Sequence, residues 1–160
     1  MVKYNYKYKC GVFTGMEKLF MIKLQIPATS ANLGAGFDAL GLALTYYNFV
    51  EMEESDTIDI ATLDNIDIPT DEKNLIYISA KDLFNVCGKK LGGLKIRQKN
   101  NIPMARGLGS SSACIVAGLV GANTLLGSPL TTDDIVDLAA QIEGHPDNTA
   151  PALLGGIVTA

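Results

Sequence analysis

Apolar and polar residues alternate over Ile22-Lys23-Leu24-Gln25-Ile26, the pattern of a strand with one buried face. Two β-rich runs follow, Tyr46 to Glu53 and Thr57 to Leu63, parted by the acidic turn Glu54-Ser55-Asp56. The period then changes. From Asn74 to Val86 the apolar residues fall at Leu75, Ile76, Ile78, Leu83 and Val86, a helical spacing that stops before Gly88. Leu94 to Gln98 predicts another short strand. Ser111 to Leu126 is apolar nearly all round and predicts a buried central helix. Thr131 or Thr132 caps a further helix, with Asp133 and Asp134 in its first turn, where carboxylates meet the positive end of the dipole. Its apolar face is Ile135, Val136, Leu138, Ala139 and Ile142. Beyond Gly155-Gly156, Ile157-Val158-Thr159-Ala160 predicts a closing strand. Mixed strands and helices around one enclosed helix predict a two-layer α+β fold.

Composition narrows the function classes. A chain of 160 residues that is 48% hydrophobic and 19% charged can bury a core. Seventeen acidic against thirteen basic residues, net −4, argue against a nucleic-acid partner. His145 is the single histidine, which excludes a metal site built from several His ligands. Cys10, Cys87 and Cys114 stand far apart without a CxxC, fitting neither a disulfide framework nor a zinc site and suggesting a reducing cytoplasm. Ala113 to Leu126, the most apolar stretch, is too short to span a bilayer, so no membrane partner is expected. No signal sequence is read at the N-terminus, because Glu17, Lys18 and Lys23 interrupt any apolar run. Residues 1–20 differ from the rest: they hold four lysines against Glu17 alone, and three of the six tyrosines. They are expected to be an extension outside the fold, with Met21 as the natural beginning; Tyr–Lys alternation in an edge strand is the other reading.

Three segments carry candidate chemistry. The first is PMARGLGSSSA, Pro103 to Ala113, between the strand Leu94–Gln98 and the central helix. Gly107 and Gly109 permit an unusual backbone and a close approach. Ser110, Ser111 and Ser112 open a helix whose first N–H groups lack partners, which suits a polyphosphate. The serine hydroxyls offer oxygen ligands for Mg²⁺, and Arg106 is a nearby cation. No Gly-Lys-Ser/Thr follows, so this is not a Walker A loop, and it is not a G-x-S-x-G elbow. A Gly-rich connection ending in a serine N-cap explains the same residues structurally. The second segment, PATSANLGAGFDALG from Pro27 to Gly41, reads as a loop after a strand, with Thr29, Ser30, Asn32 and Asp38 available for a small polar ligand. Asn and Asp also make turns for their own sake. The third is EGHPDNTAPALLGG, Glu143 to Gly156. Glu143 is a candidate Mg²⁺ ligand, and His145 and Asn148 candidate substrate contacts. Gly144 with Pro146 also reads as a plain helix stop.

Together the three segments resemble the homoserine kinase branch of the GHMP small-molecule kinase superfamily. PATSANLGAGFD is similar to its N-terminal signature, PMARGLGSSSA to its phosphate loop, and EGHPDN with APALLGG to its third motif. The resemblance covers Met21 to Ala160. It implies a GHMP kinase N-terminal domain with a ribosomal-protein-S5-domain-2-like portion over residues 21–160, truncated at its C-terminal end with the C-terminal domain absent. It implies phosphorylation of the L-homoserine hydroxyl by ATP, giving O-phospho-L-homoserine in threonine biosynthesis. By motif match, Pro103, Met104, Ala105, Arg106, Gly107, Leu108, Gly109, Ser110, Ser111, Ser112 and Ala113 wrap the ATP phosphates, and Asn74 lies near the adenine. Ser111 and Glu143 hold Mg²⁺. Asn32, Asp38, His145 and Asn148 line the homoserine pocket, with Asp38 paired to the ammonium group and Asn148 orienting the hydroxyl. The full-length form is expected to be a homodimer. Members run to about twice this length, and their second half brings the arginines that clamp the substrate carboxylate. No Lys or Arg follows Arg106 in this chain, so an incomplete enzyme with weak or absent turnover by itself is expected. Two other readings remain: a shikimate-type or mevalonate-type kinase of the same superfamily, or a non-catalytic nucleotide-binding fragment.

Overall fold

Ile22, Leu24 and Ile26 bury one face of strand β1 (Ile22–Leu33), while Lys23 and Gln25 stand in water, as the alternation requires. The structure, a computed structural model, describes residues 21–159, and of Asn32, Phe37 and Asp38 it describes the backbone alone. The expected extension over residues 1–20 lies outside the described residues. After a turn at Gly34 and Ala35 the chain returns as β2 (Gly36–Ser55), antiparallel to β1 along its length. Strand β4 (Gly93–Lys99) pairs antiparallel with residues 49–55 of β2, and β3 (Asp59–Thr62) lies parallel to β4. The sheet order is β1-β2-β4-β3, and β5 (Ile157–Thr159) adds to β2 at Leu40–Leu42.

Helices α1 (Leu75–Val86), α2 (Ser110–Leu125), α3 (Thr132–Glu143) and α4 (Thr149–Leu154) complete the fold. Their apolar side chains join those of β1, β2 and β4 in one core. The central helix α2 is enclosed as expected: it packs on α1, on β1 and β2, and on α3 and α4. Close packing explains its glycines. A Cβ at Gly118 would lie 2.4 Å from the Ile76 carbonyl oxygen of α1, and one at Gly121 would lie 2.6 Å from the Met52 sulfur. Burying Ile115 and Leu119 there stabilises the fold by about 1.5–3 kcal/mol each. In α3, Thr131 caps the helix and forms a reciprocal box with Asp134, and the chain leaves at Gly144 in the left-handed conformation.

One expectation is corrected, and one element was not anticipated. Pro27 to Gly41 is not a loop but a β-hairpin, with irregular register between Pro27 and Thr29 and between Ala31 and Leu33. Its alternation is masked because small residues replace bulky ones where other elements approach. A Cβ at Gly41 would lie 2.0 Å from the Asp147 carbonyl oxygen, so only glycine fits in the strand there. The span from Thr149 to Leu154, to which the sequence pattern assigned no element, is α4. Six residues give no period to read, and Pro151 is tolerated because the first helical turn needs no N–H partner.

Asp64 ties the end of β3 to the end of β4: its carboxylate accepts the Thr62 hydroxyl (2.6 Å), the Ile66 N–H (3.1 Å) and the Asn100 N–H (2.6 Å). Burial pushes its pKa up, but the Thr62 hydroxyl, the Asn100 and Ile66 amides and the Lys99 charge outweigh burial and hold it below the ordinary carboxylate range. The ionised form is therefore favoured by folding. Its contribution is complete above an unfolded pKa of about 4 and is lost as pH falls through the lower folded value. Asp64→Asn is expected to lower the thermal midpoint at neutral pH and to flatten its fall on acidification; equal acid sensitivity in both proteins would contradict this.

Candidate active site

Helix α2 starts without a side-chain cap. Gly109 is its N-cap, at φ 64° and ψ 31°, and no side chain accepts from the first turn. Ser110, Ser111 and Ser112 are therefore the first helical residues, and the expected alternative of a serine N-cap is corrected. The hydroxyls turn elsewhere: Ser111 Oγ donates to Glu143 Oε2 at 3.2 Å, and Ser112 Oγ to Glu143 Oε1 at 3.0 Å. The last residue of α3 is thereby fixed beside the start of α2. Free N–H groups, the dipole's positive end and the exposed Arg106 leave this corner suited to an anion.

Thr29, fully buried in β1, brings the three segments together. Its N–H donates to the Leu108 carbonyl at 3.1 Å, and its hydroxyl donates to Asn148 Oδ1 at 2.8 Å. A Cβ at Gly109 would lie 1.9 Å from the Thr29 hydroxyl oxygen and 3.3 Å from Asn148 Oδ1. Glycine is thus required twice at this position, by its backbone and by its neighbours. The turn before α4 presents His145, whose Nδ1 contacts Asp147 Oδ1, and Asn148, whose Nδ2 donates weakly to the same oxygen at 3.4 Å.

Pro103, Met104, Ala105, Arg106 and Gly107 are exposed, whereas Leu108, Gly109 and Ser110 are half-buried. The Ala113 N–H donates to the Gly109 carbonyl and its methyl is in the core. Asn74 is bonded on every side. It caps α1 by accepting the Ile76 N–H, while its Nδ2 donates to the Pro69 carbonyl (2.8 Å) and to Gln98 Oε1 (3.1 Å). At 2% exposure its amide is engaged by the framework. Asn32 and Asp38 fall on β1 and β2 of the hairpin, their side chains outside the described set. Thr29 was read as available to a small polar ligand; its hydroxyl bonds Asn148 and its N–H bonds Leu108. Nothing in sequence announces that Thr29 joins the three segments, whereas the short H-x-D spacing places Asp147 beside His145.

Around Glu143 the donors are a carboxylate and two hydroxyls, all hard oxygens. Among the described residues no group of three His, Cys, Asp or Glu forms a metal cage. That combination fits Mg²⁺, which is held through one or two carboxylates with substrate phosphates completing its shell. Cys114, one turn into α2, is no nucleophile: burial first, and then the Glu143 charge, pushes its thiol up to about 11.

The profile "GHMP kinases N terminal domain" matches residues 74–156. The chain is 50% identical over 143 residues to the homoserine kinase of Carboxydothermus hydrogenoformans, covering 88% of this chain and 47% of that protein. It is 51% identical over 140 residues to the homoserine kinase of Petrotoga mobilis, covering 86% and 46%. It therefore spans about half the length of these relatives. In structure it is similar to homoserine kinase from Cytophaga hutchinsonii (TM-score 0.78, 35% identity, covering 93% of this chain and 50% of the other). It shares its fold with Methanococcus jannaschii mevalonate kinase (TM-score 0.68, 19% identity, 89% and 53% covered). With the three motifs meeting at Thr29, Gly109 and Asn148, and the family profile spanning the phosphate loop and the turn after it, the chain belongs to the GHMP kinase family.

Proposed function

We propose that this chain supplies the ATP-binding half of a homoserine kinase, an enzyme that transfers the γ-phosphoryl group of ATP to the side-chain hydroxyl of L-homoserine and forms O-phospho-L-homoserine in threonine biosynthesis. The observation that carries the reading is the junction of Thr29, Gly109 and Asn148 beside the uncapped start of α2. The relatives named above favour L-homoserine over other acceptors.

In this reading Pro103 to Ser112 wrap the phosphates, with the first N–H groups of α2 facing their charge and Arg106 adding a cation. Ser111 and Glu143 hold Mg²⁺, which when bound neutralises phosphate charge. Asn32, Asp38, His145 and Asn148 line the acceptor pocket, Asp38 pairing with the substrate ammonium. Phosphoryl transfer asks for positioning and charge neutralisation more than for a strong base. Asn148 orients the hydroxyl: its Oδ1 is fixed by Thr29, which sets which way the amide faces. The hydroxyl proton leaves late, to a phosphate oxygen or water. The whole enzyme is proposed to act in the cytoplasm and as a homodimer.

Asn148→Ala, in a chain completed with the C-terminal half of a relative, is expected to lower kcat about 100-fold with little change in the KM for ATP, the scale of losing one positioned polar group. Unchanged turnover would remove Asn148 from that role. The acceptor itself is tested by coupled ADP release from the completed enzyme with L-homoserine, shikimate or mevalonate in turn. Release with L-homoserine alone is the expected result; release with either other acceptor would reassign the substrate. Binding of Mg-ATP without release for any acceptor would favour the nucleotide-binding fragment.

A further inference from the structure

We propose that Asp147 is a positioning residue, whose carboxylate holds the His145 ring in its Nδ1–H tautomer and so leaves Nε2 as a bare hydrogen-bond acceptor. The Asp147 side chain is 2% exposed, against 54% for His145. A carboxylate taken out of water must be compensated by hydrogen bonds or a counter-charge. Among the described residues the only salt-bridge partner of Asp147 is the His145 ring. An ionised carboxylate accepts and cannot donate, so a neutral imidazole facing it must carry its proton on Nδ1. In water the other tautomer of histidine is favoured, so the contact reverses the ring's own preference.

The backbone keeps this arrangement in place. The Asp147 carbonyl is wedged where Gly41 leaves no room for a Cβ, which fixes the turn against β2. The same Oδ1 also accepts from Asn148 Nδ2 at 3.4 Å, so one buried oxygen orients both polar side chains of the turn. Nε2 has no partner among the described residues. His145 opens onto a shallow groove that it lines with Asp137 and Gln141 of α3, together with Gly144 and Pro146. A bare Nε2 there accepts from a donor such as an ammonium or a hydroxyl and turns away a second acceptor. Its meeting with an amino-alcohol substrate rests on the proposed function; the tautomer does not.

His145 is the only histidine, so the imidazole nitrogen spectrum of the ¹⁵N-labelled chain reports a single ring. It is recorded well above the ordinary histidine pKa of about 6.5, with no substrate or nucleotide present. The expected spectrum has Nδ1 protonated and Nε2 unprotonated, and Asp147→Ala is expected to move the proton to Nε2. A proton on Nε2 in the unsubstituted chain overturns the proposal, as does an Asp147→Ala spectrum that keeps Nδ1–H. Should Asp147→Ala fail to fold, the spectrum of the unsubstituted chain decides alone. Failure of the kinase reading would show in the ADP assay and leave this spectrum unchanged.

Discussion

Replacing Gly109 with alanine is expected to weaken Mg-ATP binding about 100-fold while the domain still folds. Two costs combine at this residue. A non-glycine residue held at φ 64° stores about 1–3 kcal/mol. The added methyl would also stand 1.9 Å from the Thr29 hydroxyl oxygen, an overlap that costs about 1–3 kcal/mol more unless something moves. Thr29 cannot move freely, because it is buried, β-branched and bonded by its N–H to Leu108. Relief must come from the phosphate loop or from Asn148, and either disturbs the anion site. A loss of about 2.7 kcal/mol is a factor of about 100 in affinity. Gly107 is the internal control. It has a similar φ of 69°, yet a Cβ there would meet nothing within 4 Å, so Gly107→Ala should weaken binding by only about tenfold. Titration calorimetry with Mg-ATP reads both variants, and equal affinities for the two would contradict the steric argument.

Glu143→Gln is expected to lower turnover of the completed enzyme by about 10²–10³, the scale of removing one preorganised electrostatic partner from a transition state. The amide keeps the size of the side chain and can still bond the two serine hydroxyls, so α3 and α2 stay joined. The charge is what is lost. Nucleotide affinity measured without Mg²⁺ should hardly change, whereas its strengthening by added Mg²⁺ should largely disappear. An unaltered Mg²⁺ dependence would leave Glu143 with the single task of anchoring Ser111 and Ser112.

These expectations draw on different depths of the sequence. The alternation at Ile22–Ile26, the period of α1 and the all-round apolar surface of α2 were readable because local burial dictates them. The phosphate loop was readable because its glycines and serines are adjacent in the chain. The hairpin from Pro27 to Gly41 was not, since small residues such as Gly41 are selected by Asp147 and Pro151, which are far away in sequence. At Asn74 a cap and a base contact ask for the same amide, and only burial against Gln98 shows how that amide is bonded here. Ala113 fell inside a motif whose last residue serves the core.

By itself, then, the sequence determined the types of α1, α2, α3, β3, β4 and β5, the enclosed central helix and the three segments that carry chemistry, because each depends on residues within a few positions of one another. Only the tertiary structure decided how those segments meet. Thr29 reaches Asn148 across a separation of 119 residues, and Ser111 and Ser112 reach Glu143 across 32 and 31. Contacts of that range have no periodicity and no local composition to announce them. They arise because the β1–β2 hairpin, the start of α2 and the turn before α4 converge where Gly41 and Gly109 leave space for close approach.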